Sequence, residues 1–188
     1  MILRTRRLAV RIDDSKRLTA RQRERAFDAI LSHAVVGIGI VCAEEIDRRN
    51  ILQATLLSMR DAVDDLAQDP DLVLVDGAVA PDLSVPCWPI IRGDQRSYVI
   101  GCASIAAKVI RDRLMAFYDD LYPEYGFKQH KGYGTSLHAR RLMQLGPSFL
   151  HRRSFRPVAE AVMRGDVAMC PGVEANAETP RALVPVEH

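Results

Sequence analysis

Nowhere does this sequence run apolar for anything near the roughly 18 residues that a bilayer crossing requires, which excludes a membrane span. Its start, Met1-Ile-Leu-Arg-Thr-Arg-Arg7, is basic but lacks the apolar segment of a secretory leader, because Leu8-Ala-Val10 is broken at once by Arg11. A cytoplasmic protein without a membrane partner is expected. Cysteine is scarce and unpatterned: Cys42, Cys87, Cys102 and Cys170 stand far apart, which argues against a zinc knot and a disulfide framework and predicts free thiols, mostly in the core. There is no internal repeat, and 188 residues leave no room for two independent domains. What is present, 48% apolar and 27% charged residues, is the composition of an ordinary globule. One unit over residues 1–164 is expected, followed by a tail, 165–188, whose prolines (Pro171, Pro180, Pro185) and lack of apolar periodicity predict disorder.

The net charge of +2 hides a segregated distribution. Residues 1–25 carry nine Lys/Arg against three Asp/Glu, residues 44–94 four against eleven, and residues 108–165 eleven against five. Two basic blocks bracket an acidic one, so convergence of the basic blocks would make a phosphate-seeking surface, and the acidic block could include metal-holding carboxylates. For Arg21, Arg23 and Arg25 the solvated face of a helix is the plainer account.

Thr19 with Gln22 three residues on is a capping-box pattern, and Leu18, Ala26, Phe27, Ile30 and Leu31 follow at helical spacing, predicting a helix over 19–32. The β-branched run 34–41 predicts a strand covered on both faces. Ile51, Leu52, Leu56, Met59, Val63 and Leu66 predict one long helix over 46–66, stopped before Pro70. A strand is expected over 72–75, then a proline-marked stretch leading to Ile90-Ile91 and Gly93-Asp94. The strongest helix spans 98–121, with Ile100, Ala103, Ala107, Ile110, Leu114, Phe117 and Leu121 inward and Ser104, Lys108 and Asp112 as a polar line. After a loop over 122–134, a helix opens at Thr135 and closes at Gly146-Pro147. The fold class is α/β, with a helical C-terminal cap.

In such sheets functional side chains gather beyond the carboxyl ends of strands, where Asp76 stands after four apolar residues; Asp94 repeats the arrangement beside a second glycine. Either Asp-Gly pairing also serves as a plain turn. Two carboxylates at neighbouring strand ends can grip a divalent ion, but they are too few to offset the repulsion of two ions held close together. The loop Tyr125-Gly-Phe-Lys-Gln-His-Lys-Gly-Tyr-Gly-Thr135 mixes glycines, cations and aromatics: Lys128 and Lys131 suit phosphate, and Tyr133 offers a ring to a sugar or base. An aromatic plug for the end of the sheet accounts for the same composition. His151-Arg-Arg-Ser154 is another phosphate-like cluster or a polar helix start, whereas His33, His138 and His188 have no partner pattern and read as structural or exposed.

Asp13-Asp-Ser-Lys-Arg-Leu18, Val75-Asp-Gly77, Arg92-Gly-Asp94, the run Ala103 to Asp112, Tyr125-Gly-Phe127, His130-Lys-Gly-Tyr-Gly-Thr135 and His151-Arg-Arg-Ser-Phe-Arg-Pro157 resemble, in order and spacing, the segments of ribonuclease HII, the type 2 ribonuclease H family. The resemblance implies a ribonuclease H-like mixed sheet flanked by helices. It implies an endonuclease that cuts the RNA strand of RNA–DNA hybrids, and single ribonucleotides in duplex DNA, with Mn2+ or Mg2+, as a monomer. It assigns Asp76 and Asp94 to catalysis and metal binding, as the third and fourth members of a carboxylate quartet. Tyr133, Lys131, Ser104 and Lys16 become substrate-binding residues, with Tyr133 on the ribonucleotide sugar. The family's opening D-E-x-G-R-G strand has no counterpart here, so the resemblance implies missing first strands, half a metal site, at most one weakly held ion and impaired or absent activity. Asp13 and Asp14 match the element before the first helix, where Asp14 reads as a helix starter. Two other functions remain open: a non-catalytic nucleic-acid-binding remnant, and a different metal phosphohydrolase or interaction protein.

Overall fold

The structure, a computed structural model, describes residues 1–163 and divides into two compact units, one of residues 1–111 and one beginning at Asp112. The expected tail and Cys170 lie outside the described residues.

In the first unit β1 (Ile2–Leu3) pairs antiparallel with β2 (Ala34–Val35), which follows α1 (Ala20–His33) without a break. Helix α1 starts where the capping box places it: the Thr19 hydroxyl accepts from the backbone N–H of Gln22, whose side chain accepts from the N–H of Thr19. Its inward face, Ala26, Phe27 and Ile30, packs with Leu8 and Leu18 against Cys102, Ile105, Ala106 and Val109 of α5 (Tyr98–Leu121).

Two expectations need correction here. The strand expected over 34–41 forms only at Ala34–Val35, because a β ladder needs a partner and none among the described residues lies beside 36–41. That segment instead runs against α3 (Ile51–Asp64), where the backbone N–H of Ile38 donates to Asp65 Oδ2 at 2.9 Å. A methyl group at Gly37 would overlap the carbonyl oxygen of Ala62, and one at Gly39 that of Ser58, so only glycine lets the two backbones approach this closely. The single helix expected over 46–66 is two, α2 (Ala43–Arg49) and α3, separated by Asn50 at φ 79°, whose side chain caps α3 by accepting from Gln53 N. In α3 only Ala54 is fully buried; of the apolar stripe Leu56, Met59 and Val63 are half-buried, whereas Ile51 and Leu52 at its start stand at least half exposed.

Strand β3 (Val73–Asp76) runs parallel to β4 (Cys87–Ile90), with Val73 beside Cys87 and Asp76 beside Ile90. The short helix α4 (Gly93–Arg96) then leads into α5, whose bounds are the expected ones. Its buried face is only partly the expected one: Ile100 is buried and Ala103, Ile110 and Leu114 half-buried, but Cys102, Ile105, Ala106, Val109 and Met115 are the other inward residues, whereas Ala107, Phe117 and Leu121 are exposed. Apolar residues occupy most of the circumference of this helix, so periodicity alone could not choose the face. Of the three described cysteines only Cys102 is core, and burial pushes its thiol up to about 11; Cys87 is half-buried and Cys42 exposed.

The second unit is helical: α6 (Phe127–His130), α7 (Ser136–Leu145) opened by Thr135 and closed by Gly146, and α8 (Arg156–Met163). Its apolar centre is Met115, Tyr125 and Phe127, and a smaller one joins Leu142, Val158 and Ala161. The Tyr125 hydroxyl, buried with its ring, donates to the Gly146 carbonyl at 2.8 Å. No helix among the described residues is long and apolar enough to cross a membrane.

Candidate active site

Buried Val75 fixes the end of β3, so Asp76, its last residue, points to the other face and is exposed. The Asp76 carboxylate is aimed by one hydrogen bond: Oδ1 accepts from the backbone N–H of Gly93 at 2.7 Å. Asp94 is the next residue, half-buried in the first turn of α4. The chain reaches this turn through Arg92, held at φ 56°, a left-handed conformation that costs a non-glycine residue about 1 kcal/mol or more and is found most often at functional sites. Asp76 and Asp94 therefore flank a single backbone hydrogen bond, and both offer hard oxygen atoms suited to a divalent cation.

Gly93 keeps that bond short. A Cβ there would stand 2.7 Å from Ile100 Cδ1, 3.3 Å from Asp76 Cα and 3.4 Å from Asp76 Oδ1. Gly93→Ala is expected to cost about 1–3 kcal/mol and to displace the Asp76 carboxylate. Urea unfolding together with Mn2+ binding would check it; a variant unchanged in both would show that the turn yields freely.

In the same unit Ser15 is buried with its hydroxyl 3.4 Å from that of Ser104 on α5, which brings the turn carrying Lys16 beside Ser104. Lys16 is exposed, and its backbone N–H donates to Asp14 Oδ1, so Asp14 closes this turn while Thr19 caps α1. Asp13 pairs with Arg11, and the hydrogen bond from that guanidinium holds its carboxyl below the usual range. Among the described residues no three Asp, Glu, His or Cys side chains converge into a metal-holding group, so at most two carboxylates, those of Asp76 and Asp94, are offered as donors here.

In the second unit the segment 125–135, which contains α6, divides its aromatics between both roles open to it. Tyr125 and Phe127 stack with ring centroids 5.2 Å apart in the core, whereas Tyr133 is 56% exposed. Lys131 stands at φ 52° and its ammonium group donates to the Asp112 carbonyl at 3.3 Å. His151 is not part of a phosphate cluster: it is buried, its Nδ1 faces the backbone N–H and hydroxyl of Ser148, and its Nε2 lies 3.0 Å from Nε2 of His138. His130 stacks on His138 with centroids 4.0 Å apart. This three-histidine group has no signature in the sequence, because its members come from three separate segments that meet only on folding.

Comparison with known proteins accounts for these segments together. The family model for Ribonuclease HII matches residues 4–158. The Ribonuclease HII of Chloroflexus aurantiacus is 51% identical over 153 residues, covering 81% of this chain and 72% of that protein. That of Syntrophotalea carbinolica is 49% identical over 150 residues, covering 79% and 72%. In fold the chain is similar to the ribonuclease H2 of Pyrococcus horikoshii OT3, with a TM-score of 0.69 and 22% identity over 81% of each chain. A family match from residue 4 to residue 158, with half the positions shared by full relatives, places the chain in the ribonuclease HII family of endoribonucleases.

Proposed function

We propose that this protein recognises RNA–DNA hybrids, and duplex DNA carrying single ribonucleotides, in the cytoplasm, as a monomer, and that Asp76 and Asp94 are its metal-binding carboxylates. The observation that carries the reading is the Asp76 carboxylate held by Gly93 N–H immediately before Asp94, at the carboxyl end of a parallel strand pair. Two carboxylates fit one hard cation, Mg2+ or Mn2+, that keeps several of its waters. They do not fit two, since a pair of dications needs more negative charge than these residues hold. Bound there, the ion would supply electrostatic stabilisation to a phosphodiester. For their part, the residues of the chain orient that charge: Gly93 fixes one Asp76 oxygen and leaves the other outward, and α4 presents Asp94. Lys16 and Ser104 contact the nucleic-acid backbone, Lys131 a phosphate, and the exposed Tyr133 ring packs on the ribonucleotide sugar.

Hydrolysis by this donor set is expected to be very weak. Calorimetry with MnCl2 should give one weak site that disappears in Asp76→Asn; two tight sites would overturn the single-ion reading, and no site in either protein would remove Asp76 and Asp94 from metal binding. The same donor count favours, as second reading, a nucleic-acid binder without catalysis. It predicts hybrid affinity that falls steeply with salt and ignores divalent ions; metal-dependent cutting of a ribonucleotide-containing duplex, lost in Asp76→Asn, would exclude it.

A further inference from the structure

His130, His138 and His151 lie in the second unit, away from any carboxylate among their described partners, and the family reading gives none of them a task. Backbone groups of fixed polarity at the two ends of the chain of bonds, the Ser148 N–H and the Tyr133 carbonyl, set the tautomers between them. The N–H of Ser148 donates to His151 Nδ1 at 3.1 Å, so that nitrogen is unprotonated and the proton sits on Nε2. His151 Nε2–H then donates to His138 Nε2 across 3.0 Å, which leaves the His138 proton on Nδ1. That proton goes to the carbonyl of Tyr133 at 2.9 Å. In parallel, Gly132 N–H donates to His130 Nδ1 at 3.1 Å, and His130 Nε2–H to the Tyr125 carbonyl at 2.9 Å. The Tyr133 N–H itself donates to the His130 carbonyl at 2.8 Å.

From this chain of donors we infer that His151 and His138 are positioning residues for Tyr133, a relay that runs from Ser148 to the Tyr133 carbonyl and locks the backbone of the loop while its ring stays exposed. The inference rests on the reading of Tyr133 as a substrate contact. A purely apolar plug would bury the loop as well, but would leave the Tyr133 carbonyl with only its local donor, the Thr135 N–H at 2.8 Å, and without the His138 Nδ1–H that ties the loop to α7. The relay works only with neutral rings, because protonating either His138 or His151 sets two N–H donors face to face. Burial, and then the neighbouring His138, hold His151 near 4, and burial also lowers His138. Among the described residues, the titratable groups in ring contact with these histidines are the histidines themselves and Tyr125, whose ring centroid is 5.4 Å from that of His151.

The full chain, labelled with 15N, tests the relay directly. At pH 7 the imidazole signals should report His138 as the Nδ1–H tautomer and His130 and His151 as Nε2–H; His138 found as Nε2–H would overturn the proposal. A double-mutant cycle on the affinity for a short RNA–DNA hybrid then tests the purpose. Tyr133→Ala is expected to weaken binding about tenfold, the scale of one lost stacking contact. His138→Leu should do the same alone and add nothing in the Tyr133→Ala background, while His138→Gln, which keeps a side-chain N–H, should recover part of the loss. Additive losses would mean that His138 acts by general stability and would defeat the inference. If Tyr133→Ala leaves binding unchanged, the substrate reading of Tyr133 fails; amide exchange then decides the relay, which requires faster exchange at Tyr133 and Thr135 in His138→Leu and is overturned by unchanged rates.

Discussion

Alanine at Gly39 is expected to destabilise the protein by about 3 kcal/mol, the upper end of the range for overpacking, because no flexible side chain stands in its way to yield. The added methyl group would overlap the carbonyl oxygen of Ser58 and lie 2.8 Å from the amide nitrogen of Ala62, both backbone atoms in the middle of α3. Relief requires sliding α3 from the extended segment 36–41, which also strains the bond from Ile38 N to Asp65. Gly37→Ala meets the Ala62 carbonyl in the same manner and should behave alike. Urea unfolding followed by circular dichroism gives the number; a loss below about 0.5 kcal/mol, ordinary for a surface substitution, would mean that the segment is not held against the helix.

Acid should weaken the protein well before its carboxylates are protonated. Burial holds His151 near 4, below its ordinary 6.5, with the neighbouring His138 acting in the same direction. Between those values the unfolded chain binds a proton that the folded one refuses, so stability rises with pH across the window. The contribution is complete above about pH 6.5 and is lost as the pH falls towards 4, amounting to about 3 kcal/mol for a shift of this size. Unfolding free energies measured at pH 7, 6 and 5 should fall progressively, and His151→Gln should flatten most of that slope. An unchanged slope in the variant would assign the acid response elsewhere.

How far the sequence foretold this molecule depends on whether the deciding interaction is local. The start of α1 was legible because Thr19 and Gln22 form their bonds within one turn, and Asp76 because four apolar residues end in one acidic residue followed by glycine. The break at Asn50 was not, since the apolar period continues across it and only a left-handed backbone at φ 79° separates α2 from α3. The extent of β2 depended on a neighbouring strand, which the run 34–41 cannot specify by itself. The inward face of α5 was hidden by apolar residues on several sides. Asp76 and Asp94 in the first unit, and the exposed Tyr133 in the second, were marked by motif and resemblance, whereas the histidine relay depends on Ser148 and Tyr133 backbone groups that no residue identity announces.

The parallel pair β3–β4 carries one more consequence. Val73 N–H donates to the Pro86 carbonyl and Gly77 N–H to that of Ile90, so in β4 the even-numbered residues bond inward and Pro89 faces away from β3. An outward N–H at that position would be an invitation to a strand from another molecule, and proline has none to offer. With Trp88 60% exposed beside it, this rim of the sheet would otherwise offer a template for strand addition, and Pro89 removes one of the donors that such a pairing would use.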